Sequence, residues 1–81
     1  MQVVLYSRAA CHLCDDAREV LVAEQARTPF DLVEVDIDSS DDLVREYGVR
    51  IPVVVVDGVE AFEYSVDPAE LAAVLRAAER L

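Results

Sequence analysis

A chain of 81 residues, 54% of them hydrophobic, supports one small core and is expected to form a single domain over residues 1–81. Its 17 acidic residues against 7 basic ones, a formal charge of −10, exclude nucleic acid and anionic membranes as partners, because both are gripped by cations. With only Gly48 and Gly58, it carries neither a G-x-G-x-x-G fingerprint nor a glycine-rich phosphate cradle.

Val3 to Tyr6 reads as a short buried strand, rich in β-formers and bounded by Ser7-Arg8-Ala9-Ala10. Cys11 opens the next element, in which Leu13, Ala17, Val20 and Leu21 trace one helical face and Asp15, Asp16, Arg18, Glu19 and Glu24 fall mostly outside it. This helix ends before Thr28-Pro29, since a residue ahead of proline avoids helical geometry. Phe30 to Ile37 then alternates apolar and acidic residues, the signature of a strand with one buried face.

Ser39-Ser40-Asp41-Asp42 supplies acceptors for the start of a second helix, which Gly48 is expected to stop in a left-handed conformation. Pro52 introduces four valines suited to a strand buried on both faces. Asp57-Gly58 is a hairpin signal, and Val59 to Glu63 is the returning strand. Asp67-Pro68-Ala69-Glu70 starts a last helix with an acidic cap and a proline at its first position; Leu71, Val74, Leu75, Ala78 and Leu81 form its apolar stripe. The expected fold class is α/β: a β-α-β-α-β-β-α chain building a four-stranded mixed sheet with helices on both faces. At least one pair among the first three strands should be parallel and the last pair antiparallel.

Cys11 and Cys14 are the only cysteines, spaced C-x-x-C rather than scattered as in a disulfide framework. Met1 leads directly into the first strand with no cationic start or cleavage site, and the run Pro52–Val56 is far shorter than the ~18 residues of a membrane span. A cytoplasmic location is expected, and there such a pair is reactive or metal-binding more often than a static staple. A thiolate at a helix N-terminus gains from the macrodipole and unpaired N–H groups, which makes Cys11 the nucleophile. Cys14, one turn further in, is the resolving thiol. His12 between them is either a solvent-facing residue or one whose partial positive charge tunes the Cys11 thiol; Asp15 and Asp16 act in the opposite sense.

Cys11-His12-Leu13-Cys14 directly after a strand, Ile51-Pro52 directly before the third strand, and the element order together resemble the thioredoxin superfamily and, within it, the glutaredoxin-like branch. Within that branch the chain resembles small bacterial glutaredoxin-like proteins with a Cys-x-Leu-Cys motif. The resemblance implies a thioredoxin-like fold with a cis Ile51-Pro52 bond lying across from the thiols, where backbone groups receive an extended peptide or glutathione. It implies thiol–disulfide oxidoreductase activity on a protein disulfide or a glutathione mixed disulfide. No cofactor is expected to be tightly bound, and glutathione enters as a possible co-substrate. Arg8 matches the position of a glutathione-contacting cation in glutaredoxins, and Arg50 stands where many of them have threonine. In so acidic a chain the two arginines are expected to form a local positive rim that steadies the thiolate or grips a carboxylate. The Gly-Gly pair after the last strand of glutathione-binding glutaredoxins is replaced by Glu63-Tyr64-Ser65. Binding partners should be disulfide-bearing proteins or glutathione, the protein acting as a monomer. Two other function classes share these residues: metal or iron–sulfur binding through Cys11 and Cys14, although no resident metal is expected, and a non-catalytic binding module on the same fold.

Overall fold

The computed structural model describes residues 1–80. Alternation sets the first strand, β1 (Gln2–Ser7): Val3, Leu5 and Ser7 are buried on one face, while Val4 and Tyr6 are half-buried on the other. Helix α1 (His12–Gln25) follows, then β2 (Asp31–Asp36), a single 3-10 turn (Ile37–Ser39) and α2 (Asp41–Tyr47). The chain closes with β3 (Val53–Val56), β4 (Val59–Glu63) and α3 (Pro68–Glu79).

The sheet order is β2-β1-β3-β4. Crossing through α1 makes β1 and β2 parallel, whereas the passage through α2 returns β3 antiparallel to β1; β4 then pairs antiparallel with β3. The register pairs Ser7 with Asp36, Tyr6 with Val53, and Val53 with Glu63. The ends of β1, β2 and β4 and the start of β3 therefore share one end of the sheet.

One face carries Val3, Leu5, Val54 and Val56 against Ala17 and Leu21 of α1 and Leu71 and Leu75 of α3, with Phe30 and Val66 completing the cluster. Each fully buried leucine contributes on the order of 2 kcal/mol by removal from water. On the other face Tyr6 stacks on Tyr47 of α2 with ring centroids 4.2 Å apart, so helices cover both faces.

Local chemistry explains the tight places. Asp57 (φ 46°) and Gly58 (φ 84°) are both left-handed, as a two-residue hairpin turn matching strand twist requires. Asp57 also accepts the Gln2 N–H at 2.8 Å, pinning the turn to the start of β1. The carboxylate of Asp67 accepts the Glu70 N–H at 2.9 Å, and Pro68 occupies the first turn of α3.

Four expectations are corrected. The buried stripe of α1 is Cys14, Ala17, Leu21 and Glu24, while Leu13 is 48% exposed. Cys14 packs as a small apolar residue and turns the helix about its axis. Glu24 goes inward, its carboxylate 3.7 Å from Arg27. β2 is shorter than the expected Phe30–Ile37 strand: Phe30 and Ile37 are buried just outside it, and within it Leu32 and Val35 are only half-buried because the alternation breaks at Leu32-Val33 and the strand lies at an edge with one neighbour. Ser40 is the N-cap of α2, as expected, but makes no side-chain cap bond; the acceptor at work is Asp36, ahead of that stretch, which takes the Asp38 N–H of the 3-10 turn at 2.9 Å. Gly48 is right-handed (φ −53°), and a side chain there would run into the Val44 carbonyl, so close approach rather than handedness suits glycine. Leu81 lies outside the described residues.

Candidate active site

β1 ends at Ser7, and three residues carry the chain to Cys11. The last of them, Ala10, has φ 56°, a left-handed conformation that strains any residue with a Cβ. It turns the chain so that Cys11 becomes the N-cap of α1, its sulfur accepting the Cys14 N–H at 3.2 Å. Cys11 is half-buried, Cys14 is fully buried, and the two form a disulfide with Cα atoms 5.2 Å apart. The unpaired N–H groups of the first turn thus meet the outer sulfur, where they stabilise negative charge once the bond is reduced.

The register brings Ile51-Pro52 to this same end, since β3 begins beside the last residues of β1. The Ile51-Pro52 bond is cis. Ile51 is half-buried and Pro52 buried, and the Pro52 carbonyl accepts the N–H of Tyr64 at 2.9 Å. Tyr64 is left-handed (φ 70°), bending the chain away from β4 just where it passes the proline.

Arg8 and Arg50 also lie at this end, but not as a free positive rim. Arg8 is clamped on Asp38, with Nη2 2.9 Å and Nε 3.1 Å from its carboxylate oxygens. Arg50 lies over the Tyr47 ring, 5.3 Å from its centroid, and bonds Glu60 at 2.8 Å, Glu63 at 3.4 Å and the Glu46 carbonyl at 3.0 Å. These pairings raise the pKa of both guanidinium groups, the Asp38 and Glu60 hydrogen bonds being the leading causes. With acids so much in excess, each guanidinium finds carboxylates within its own chain. The His12 side chain is 87% exposed, with Nε2 3.5 Å from Asp16.

One cluster beside the site escapes sequence reasoning. Ser7, 4% exposed, donates its hydroxyl to Glu34 at 2.8 Å. Arg18 grips both oxygens of Glu34 and bonds Asp15 at 2.8 Å, so α1 is strapped to the ends of β1 and β2. The available signal was Ser7 itself, a polar residue at the inward position after Val3 and Leu5, which must find a partner. The Arg18 hydrogen bonds hold the Glu34 carboxyl below its ordinary value near 4.5, against partial burial that pushes it up. A depressed folded pKa stabilises the protein above the unfolded value, and that contribution disappears as pH falls through the folded one. Glu34→Gln is therefore expected to lower Tm at pH 7 and to converge on the parent as pH drops from 5 toward 2. A constant gap across that range would show that Glu34 acts through shape rather than charge.

Among the described residues, no three His, Cys, Asp or Glu side chains are grouped to hold a metal ion, and no helix is long and apolar enough to cross a membrane.

A C-x-x-C disulfide capping the helix after the first strand, on a mixed sheet of order β2-β1-β3-β4, defines a thioredoxin-fold thiol redox protein. The chain belongs to the family described as Glutaredoxin-like domain (DUF836), which matches residues 2–76. An uncharacterized protein of Mycobacterium tuberculosis is 35% identical over 77 residues, spanning 89% of this chain and 79% of that one. The X-ray structure of a protein from X. campestris superposes with a TM-score of 0.77 at 37% identity, covering 93% of this chain and 96% of the other. Oxidized mitochondrial thioredoxin 3 of Saccharomyces cerevisiae gives a TM-score of 0.69 at 22% identity over 94% and 76% of the two chains, a likeness of fold alone.

Proposed function

We propose that the protein is a thiol–disulfide oxidoreductase in which Cys11 attacks and Cys14 resolves. One observation carries the assignment: Cys11, at the N-cap, is partly open to solvent, whereas Cys14 is fully buried. In the reduced protein the Cys11 thiolate attacks one sulfur of a substrate disulfide, forming a mixed disulfide and releasing the first substrate thiolate, which takes up a proton. Cys14 loses its proton and attacks the Cys11 sulfur, breaking the mixed disulfide and releasing the second thiol. The substrate gains two electrons and two protons; the protein is left with the Cys11–Cys14 disulfide. A two-electron donor, glutathione or a reductase, restores the dithiol.

The substrate is a protein disulfide or a glutathione mixed disulfide, met by a monomer in a reducing compartment such as the cytoplasm. Ile51 and Pro52 form the surface along which its chain lies. Arg8 and Arg50 act there by shaping this surface through their carboxylate pairs, and His12 stands at the solvent side of the thiols.

Trapping tests the assignment. The Cys14→Ser protein, reduced and mixed with a disulfide peptide, is expected to accumulate an adduct of one peptide half on Cys11, visible by mass spectrometry and released by dithiothreitol. An unmodified protein after full exposure would overturn it.

A further inference from the structure

Leu13, between the two cysteines, and Tyr64, whose N–H bonds the Pro52 carbonyl, leave large apolar surfaces half open, 48% and 49% exposed. Between them lies a notch of about 90 Å³, lined also by Ala17, Val20, Ser65 and Val66, with Asp16, 3.5 Å from the exposed His12 ring, its one charged member. Core packing does not explain it, because a leucine at the second helical position would be buried if the core were its purpose. Redox chemistry does not use it either.

We infer that this notch is a subsite for a lysine or arginine side chain of the substrate protein, flanking the disulfide that Cys11 attacks. The inference rests on the exchange reaction proposed above and adds its substrate class.

Three observations converge. First, the lining suits an amphipathic side chain: an aliphatic stem lies along Leu13, Val20 and Tyr64, while its charged head reaches Asp16, whose side chain is 58% exposed. The open Tyr64 ring adds a face on which a cation is attracted. Second, the cations that would draw an acidic ligand to this end of the sheet are already engaged. All three nitrogens of Arg18 bond Glu34 or Asp15. All three of Arg50 bond Glu60 or the Glu46 carbonyl, with Glu63 a further partner. Arg8 is neutralised by Asp38. Third, the chain carries a formal charge of −10, so a basic partner is steered toward it and an acidic one repelled. The notch begins on the helix that Cys11 caps, since Leu13 and Asp16 belong to the first turns of α1. A basic residue close to a half-cystine can therefore occupy it while the sulfur meets Cys11.

The test uses three disulfide peptides identical except for one residue beside the half-cystine: lysine, glutamine or glutamate. Steady-state kcat/KM is measured for the full chain and for Asp16→Asn, each value divided by the same protein's rate on hydroxyethyl disulfide, an uncharged reference. The order lysine, glutamine, glutamate is expected, with about a tenfold span at low ionic strength, the size of one partly exposed charge pair turned from attraction to repulsion. The span should shrink in ~1 M salt, where the screening length falls to about 3 Å. Asp16→Asn should reduce it to about threefold or less, leaving only the long-range field. Equal rates for the three peptides overturn the subsite, as does a lysine preference that Asp16→Asn leaves intact. Failure to reduce even the glutamine peptide and the reference would instead overturn the oxidoreductase assignment, so the two failures are separable.

Discussion

Cys11→Ser is expected to lower disulfide reduction by at least about a thousandfold, because a hydroxyl cannot replace the thiolate that begins the exchange. The variant separates chemistry from folding. Cys11 occupies the N-cap of α1, and serine is among the preferred N-cap residues, so the helix start survives the change. Thermal unfolding compared with the reduced parent should therefore shift little while turnover vanishes. Cys14→Ser behaves differently: buried behind Cys11, it is needed only after the mixed disulfide has formed, so its loss spares the first exchange and stops the second. A Cys11→Ser protein that still forms an adduct on Cys14, with Cys14→Ser inert, would invert the two roles.

Leu21→Ala carries the largest expected effect on stability. Leu21 is 0% exposed within the cluster joining α1 to β1, β3 and α3. Truncation removes the transfer energy of three carbons and leaves a cavity that a small core closes poorly, at about 3 kcal/mol. For a domain of this size that is a fall in Tm of roughly 10–20 °C. Val22, the next residue, is 52% exposed, and Val22→Ala is expected to change stability by less than about 0.5 kcal/mol. Urea denaturation of the two variants checks the contrast. Equal losses would mean that α1 is held by its whole circumference rather than by its inward stripe.

Elements whose cause lies in neighbouring residues are legible in the sequence: the hairpin at Asp57-Gly58, the cap at Asp67, and Cys11 at the head of a helix. The element order and the mixed sheet are legible for the same reason. Features that depend on packing, or on partners distant in the chain, are not. Glu24 reads as an outward residue until Arg27 and the packing around it are seen. Leu13 reads as core because periodicity weighs side chains by polarity and undervalues Cys14, which takes the inward place. Arg8 and Arg50 read as a free cationic rim because their carboxylates, Asp38, Glu60 and Glu63, are 30, 10 and 13 residues away. The strap through Ser7, Glu34 and Arg18 was hidden likewise, its partners up to 27 residues apart. At the site, then, the thiols were readable from local chemistry and their electrostatic surroundings were not.

The position of β1 and β3 in the middle of the sheet has a mechanical consequence. Cys11 hangs from the end of one central strand and Pro52 from the beginning of the other, and these strands share the ladder running from Val3 with Val56 to Tyr6 with Val53. β2 and β4 lie outside that ladder, each bonded along one side only. Either margin can fray and anneal, as weakly held segments of a domain do, while this central ladder stays closed. The two halves of the site are thus joined first through the central pair, with Arg18 on Glu34 and Tyr64 on Pro52 bracing them from the margins.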